Sequence, residues 1–549
     1  MLVPIFLLPF AHLAPSPDPA PDEGSLLATV PDDAYALVHC RDVLALRGRA
    51  ERNDWYRLLG SSHGEPILSA LAHEIRRGAH CEMEDLLAIG AALEGEVVFF
   101  DTGTVAGFAA EPPRDRAALS AAVRAWMPEE EVAAHRSLEL GGGTAQLVAW
   151  PDEIDGWTGR AGHYAAFVDH PQALAIYSGD DLEALRAVLS DSVRGLATDR
   201  RAPLVASYLA AGGGQGGGIE AFVDFTPLVD QAEAALKEAV EGVLPDPSRL
   251  LGLQEGTWLH ASADVYPGTR VDCQARLRVP PDTLAASLAD TFRPLPHALP
   301  ADLPRGVWCL WALDWDVKVF YQRVREAYEE AGLGEGLQVV DAGIDVAKGV
   351  AGVDPVVDVL NQLAGDFAVY FVDPPQEEME PDFDGMEELA SLGFQAGLLD
   401  GEAFLSAFET LIEVGDMGSA FDLEEIAGVD AYVVRDDGAD GGVAFLPDAF
   451  AGAPSRRVLE RSLRALTGAE DASLLDGSRM QAAIDENAGA CFLTCVEMTP
   501  LRAFLPELDG DLRLPPLEEG QPARDPFDAQ LVGTVRRAPE GFELRLHTR

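Results

Sequence analysis

Short apolar runs bounded by turn residues alternate along this chain with longer stretches of helical period, the pattern of strands interleaved with helices. Two segments open on a turn signal followed by such a run: Pro31-Asp-Asp-Ala-Tyr-Ala-Leu-Val and Pro304-Arg-Gly-Val-Trp-Cys-Leu-Trp. Leu93-Glu-Gly-Glu-Val-Val-Phe-Phe and Leu363-Ala-Gly-Asp-Phe-Ala-Val-Tyr each read as a helix end, a glycine stop, an acid and a buried strand. Strands are predicted next at 105–110 and 391–397, and amphipathic helices at 114–126 and 401–413. Further strands near 173–177 and 443–445 precede helices at 181–189 and 455–466. Segments 258–279 and 529–546 read as hairpins turning at Pro267-Gly268 and Glu540-Gly541. Strands joined by short turns pair antiparallel, so the expected fold class is α+β.

The same anchors recur in the same order. Pro31 and Pro304 differ by 304 − 31 = 273, Gly95 and Gly365 by 365 − 95 = 270, and the Thr-Pro-Leu runs at Thr226 and Thr499 by 499 − 226 = 273. Three ordered matches at a near-constant offset predict two tandem diverged copies of one unit, each an antiparallel sheet with packed helices. The expected division is a signal peptide and linker at 1–22, a first repeat at 23–292, a connector at 293–304 and a second repeat at 305–549. Pro294, Pro296, Pro300 and Pro304 make that connector read as stiff and extended. The Pro31 strand, the Leu363 segment and the Thr-Pro-Leu junctions resemble the exported bacterial proteins grouped as domain of unknown function 3352. That resemblance implies the architecture and brings no activity or catalytic residue with it.

The apolar run from Leu2 to Leu13 is too short to span a bilayer and matches the core of a secretory signal, although no Lys or Arg precedes it. The expected location is therefore periplasmic or extracellular. With 92 acidic against 40 basic residues in 549, the chain carries a net charge of −52. Such a surface repels nucleic acid and anionic membranes, which require basic patches. No membrane span is expected. Of the six cysteines, Cys491 and Cys495 lie four apart in a strand-like run, roughly 13 Å from each other, and cannot bridge. No Cys-x-x-Cys or His-Glu-x-x-His spacing occurs, and neither metal nor cofactor is expected.

Candidate chemistry is sparse. Gly212-Gly-Gly-Gln-Gly-Gly-Gly218 lacks the Lys-Ser/Thr ending and following helix of a phosphate loop, and reads as a flexible connection. Thr226 and Thr499 are expected to cap helices with Pro227 and Pro500 at the first helical position. The acids shared between the copies, Glu96 with Asp366 and Asp224 with Glu497, are the candidate catalytic residues, since facing carboxylates suit glycoside hydrolysis. The acidic turns at Asp382 and Asp436 lack a full calcium-ligand spacing. His73, His80, His163 and His260 stand in no triad motif, and Trp308, Trp311 and Trp315 read as core aromatics. The favoured function is an exported non-catalytic protein acting by binding or as an envelope component, with an unidentified ligand or protein partner. The alternatives are a hydrolase using paired carboxylates and an apolar-ligand carrier.

Overall fold

The structure, a computed structural model, describes residues 25–59, 90–114, 116–117, 134–140, 143–149, 164–198, 201–214, 217–227, 229, 256–281, 283–296, 299–330, 334–372, 391–434, 440–469, 472–474, 477–501 and 525–549. The signal peptide expected at 1–22, most of the helix expected at 114–126 and the acidic turns at Asp382 and Asp436 lie outside them, as do His73, His80 and His163. The chain divides into two units, the first Met1–Leu228, Gly256–Leu277 and Gly510–Pro526, the second Val229–Glu255, Arg278–Asp509 and Phe527–Arg549.

The first unit carries strands β1 (Ala36–Cys40), β2 (Val97–Asp101), β3 (Val105–Ala110), β4 (Ala134–Leu140), β5 (Gly143–Ala149), β6 (Tyr164–His170), β7 (Ala173–Gly179), β8 (Ile219–Asp224), β9 (Trp258–Val265) and β10 (Val271–Arg278). They pair in the order β4-β5-β6-β7-β3-β2-β1-β8-β9-β10, antiparallel from β4 through β9. Helices α1 (Val43–Ala50), α2 (Leu182–Thr198) and α3 (Pro203–Ala210) pack against this sheet. Asp42 starts α1 by accepting the Ala45 N–H, and Pro203 opens α3 where its missing N–H costs nothing. Alternation along the strands gives the sheet two apolar faces. Leu37, Val98, Phe100 and Phe222 meet Leu185, Leu189, Leu204 and Val205 of α2 and α3 on one face. Cys40, Val97 and Ile219 meet Val43 and Leu46 of α1 on the other.

The second unit carries β11 (Val307–Asp314), β12 (Leu363–Val372), β13 (Leu392–Leu398), β14 (Phe421–Ile426), β15 (Val429–Val434), β16 (Gly442–Phe445), β17 (Ala449–Ala453), β18 (Phe492–Glu497), β19 (Gln530–Ala538) and β20 (Gly541–Thr548). Their antiparallel order is β14-β15-β16-β17-β13-β12-β11-β18-β19-β20, strand for strand the order of the first unit. Its helices are α4 (Leu284–Ala289), α5 (Val317–Glu330), α6 (Gly334–Ala351), α7 (Gly401–Val414), α8 (Arg456–Leu466) and α9 (Arg479–Glu486). Thr283, Asp400, Ser455 and Ser478 cap α4, α7, α8 and α9. Val458, Leu459 and Leu463 of α8 and Met480, Ala483 and Ile484 of α9 cover Leu310, Ala312, Tyr370, Leu493 and Cys495 of the sheet. The central registers agree in detail: 309 − 36 and 496 − 223 both give 273, and that shift carries every Cα pair of the β1–β8 ladder onto one of the β11–β18 ladder.

Several expectations need revision. The stretch 293–304, expected to be extended, turns helical at Leu299–Asp302; Leu295, Leu299 and Leu303 are buried in the second unit's core, and the Leu295 N–H donates to the Ala490 carbonyl. The prolines interrupt regular structure without outweighing that apolar face. Gly365 is no helix stop, because β12 starts two residues earlier and Gly365 takes φ +107 at a break in its register. The strand near 443–445 is β16, which occupies the place of β6 rather than of β7; the place of β7 belongs to β17. Thr499 lies inside the helical turn Met498–Leu501 rather than ahead of it, and its hydroxyl donates to the Phe527 carbonyl, while most of the residues that Thr226 would cap lie outside the described ones. Cys491 and Cys495 are free and sit at and inside one strand, as expected.

Candidate functional site

Burying ionisable groups on an apolar sheet face is costly unless each finds a partner. The first unit does this on the face covered by α2 and α3. His39 of β1 is the Cα partner of Glu220 on β8 and of Val98 on β2. Its Nε2 lies 3.0 Å from Glu96 Oε1 and its Nδ1 2.9 Å from the Tyr208 hydroxyl, which α3 delivers from above. Tyr208 donates to Glu220 Oε2 at 2.6 Å, and His260 Nε2 of β9 stands 3.4 Å from the same oxygen. At the other end the Ser25 hydroxyl and the Leu26 N–H donate to the two Glu96 oxygens at 2.6 and 2.7 Å. Five ionisable side chains thus form one hydrogen-bonded chain. Tyr208 is 0% exposed, and His39 and Glu220 are each 4% exposed.

The electrostatics follow from this packing. Burial pushes the Glu96 carboxyl up, but the hydrogen bond and charge of His39 and the Ser25 and Leu26 donors outweigh it, so Glu96 lies below the ordinary carboxylate range. Burial, reinforced by the Glu220 charge, holds the Tyr208 phenol well above its usual value.

The glycine loop closes over the site. The Gly214 N–H lies 2.7 Å from both the Tyr208 hydroxyl and Glu220 Oε2. A Cβ at Gly213 would fall 2.0 Å from the Tyr208 ring, while Gly212 and Gly214 take φ +94 and +76. Gly213 is required because its backbone lies directly on a buried tyrosine ring, and Gly212 and Gly214 because their φ is positive.

None of this constellation is dictated by the fold. At the shift of 273, Ala312 and Leu493 stand where the first unit has His39 and Glu220, and Val532, facing Cys495, stands where His260 faces Phe222. The same sheet closes there on apolar side chains alone.

The predicted acids are not brought together. Glu96 adjoins Val97, which pairs with Cys40, whereas Asp224 follows Val223, which pairs with Ala36. They lie just beyond opposite ends of β1, about 20 Å of strand apart, beyond the spacing for acid–base hydrolysis. Asp366 faces Asp314 at one end of β11, and Glu497 follows Val496, partner of Cys309, at the other. Glu497 accepts from the Gln530 amide, and burial pushes its carboxyl up against Arg479, Gln530 and Arg549. Asp366 is pushed up by burial and by Asp314 and Asp448, with its own N–H and Arg293 pulling the other way. A carboxyl raised in the fold costs stability that appears as pH rises through its unfolded value. Asp366→Asn should therefore stabilise the protein by roughly 0.5–2 kcal/mol at pH 7 and leave it unchanged near pH 3, in chemical denaturation at both values.

Ser25 is not a nucleophile of a triad, because its hydroxyl bonds the carboxylate and not the imidazole. Among the described residues no cluster of three or more His, Cys, Asp or Glu has metal-binding geometry, and no helix is long and apolar enough to cross a membrane. Trp308 is core, packed on Phe371, while Trp311 is 39% exposed. His260 belongs to the network; His39, Tyr208 and Glu220 were not singled out in the sequence. The signal that finds them is the comparison of the two units at one offset.

No family model matches the chain, and no curated protein matches it. Among solved structures, two crystal forms of TP0453 are similar at 11% and 10% identity and TM-scores of 0.25 and 0.24. They cover 47% and 50% of this chain and 80% and 82% of that one, a likeness too low to inform fold or site.

Proposed function

We propose that the chain is an exported, non-catalytic binding protein built from two diverged copies of one α+β unit, and that it engages a protein partner through the outer face of α6. One observation carries the binding face. Val339, Val346 and Val350 are 75%, 62% and 69% exposed, and Ala342, Gly343 and Gly349 lie on the same side of the helix. A Cβ at Gly343 or Gly349 would meet nothing within 4 Å. Scattered exposed valines need no explanation, but a stripe along a whole helix, smoothed by glycines, suits the close approach of another helix. Asp345 flanks it and the chain carries −52 charges, so the partner is an apolar protein surface with a neutral or basic rim.

The shared strand order and the 273-residue shift between ladders support the duplication. The separation of the four acids and the inward closure of the histidine network support the absence of catalysis. The Leu2–Leu13 run supports export. A photo-crosslinking residue at 346, in cells that make the protein, should give one discrete protein adduct in the exported fraction. V339D/V350D should remove the adduct and leave circular dichroism and melting unchanged, since both side chains are exposed. Absence of any adduct, or its persistence in the charged variant, refutes the binding face.

A further inference from the structure

We propose that the chain Glu96–His39–Tyr208–Glu220 holds one proton beyond the ordinary neutral-pH forms of its members, and that this proton closes a pH-sensitive clasp joining β1 to α3 and the glycine loop. The argument is a count of hydrogens. Glu96 receives the Ser25 O–H and the Leu26 N–H, and Ser25 Oγ is itself committed as acceptor to the Leu27 N–H. Glu96 is thus an acceptor throughout, and His39 Nε2 at 3.0 Å must bring its own hydrogen. Tyr208 has one hydrogen and three close partners: His39 Nδ1 at 2.9 Å, Glu220 Oε2 at 2.6 Å and the Gly214 N–H at 2.7 Å. Gly214 can only donate. Of the other two contacts, one takes the phenol hydrogen and the other must supply a hydrogen to the phenol oxygen.

Two arrangements satisfy this. In one, His39 donates from both nitrogens as an imidazolium and Tyr208 donates to an ionised Glu220. In the other, Tyr208 donates to His39 Nδ1 and a protonated Glu220 donates to Tyr208. They interconvert by moving the Nδ1 proton to the phenol oxygen as the phenol proton passes to Glu220 Oε2, with no electron transferred. Both contain one proton more than a neutral histidine, a phenol and two carboxylates.

Without it, Tyr208 meets two acceptors with one hydrogen, and lone pairs oppose each other across a contact of 2.6 or 2.9 Å in a buried site. The segment bearing Tyr208 and Gly214 then loosens from β1. The titratable groups facing this centre are Glu96 beside β2, Tyr208 on α3, Glu220 on β8 and His260 on β9, with Glu111 accepting the Glu96 N–H. The closed form holds one proton more than the open one, so by linkage the clasp is favoured at lower pH and loosens as pH rises.

The test uses the full chain labelled with 13C and 15N at histidine and glutamate. Between pH 6 and 9 the excess proton should show on the His39 imidazole or the Glu220 carboxyl, and amide-exchange protection at Gly214, corrected for intrinsic rate, should fall about tenfold or more as it leaves. In E220Q the side-chain amide supplies Tyr208 with a permanent hydrogen and frees the phenol hydrogen for His39, while the Gly214 N–H gives up the Glu220 oxygen and keeps the phenol oxygen as its acceptor. Its Gly214 protection should stay constant over the range. A wild type with neutral His39 and ionised Glu220 at pH 6, or an E220Q whose protection falls as in wild type, overturns the proposal; the wild-type spectra decide it even if E220Q does not fold.

Discussion

Replacing Glu96 by Gln is expected to destabilise the first unit by about 3 kcal/mol at pH 7, the scale for breaking a buried charged pair by removing one member. Glu96 accepts three hydrogen bonds, from Ser25, Leu26 and His39. A glutamine amide keeps one acceptor and turns two hydrogens toward donors, so it opposes what the carboxylate joined. For a unit of this size the melting temperature should fall by roughly 6–12 °C. The pH dependence is a second signature. Because Glu96 is held below the ordinary carboxylate range, its contribution is complete above the unfolded value and is lost as pH falls through the folded one. Wild type and E96Q should differ most at neutral pH and converge in acid. A constant gap down to pH 2 would mean that the Glu96 charge is irrelevant and only its shape matters.

Much of the architecture is legible because it rests on periodicity and punctuation. Ala36–Cys40 and Val97–Asp101 are dense apolar runs between turn signals, and the hairpin turning at Gly541 carries an alternating pattern; each forms a strand in the expected place. Ala449–Ala453 is harder to read, being mostly alanine and glycine, poor strand formers that earn their place only by pairing on both sides with β13 and β16. The 293–304 stretch misleads for the opposite reason, since four prolines mask the leucine spacing that docks it.

The network is a different case. His39, Tyr208, Glu220 and His260 come from four elements, with His39 169 residues before Tyr208, and they meet only because β1 lies between β2 and β8 while α3 crosses above. No local motif encodes that. Glu96 alone is marked, by its place beside a buried strand, and its partner proves to be a histidine rather than the second acid the sequence suggests. The fold rule that locates the rest is register: a single shift makes His39 answer to Ala312 and Glu220 to Leu493, and polar against apolar at matched buried positions separates a requirement of the sheet from an addition to it.

Gly107→Ala and Gly393→Ala should each destabilise their unit by about 1–3 kcal/mol although they add a single methyl group. Gly107 faces Phe100 across the β2–β3 ladder, and Gly393 faces Tyr370 across β12–β13. A Cβ on Gly107 would lie 2.2 Å from Phe100 Cζ, and one on Gly393 2.4 Å from Tyr370 Cε2, so in both units a buried ring lies flat over a glycine. The relief available differs. Phe100 is held by packing alone, tilted against Tyr177, whereas the Tyr370 hydroxyl is tied by a 2.7 Å bond to Ser462 on α8. Displacing Tyr370 sacrifices that buried hydrogen bond as well as packing, so the Gly393 variant should be the worse of the two. Replacing the ring first isolates the clash: in an F100L background, Gly107→Ala should cost at least about 1 kcal/mol less than in wild type. Chemical denaturation of the four proteins of that cycle decides it; strictly additive losses would show that the ring is not what excludes the methyl group.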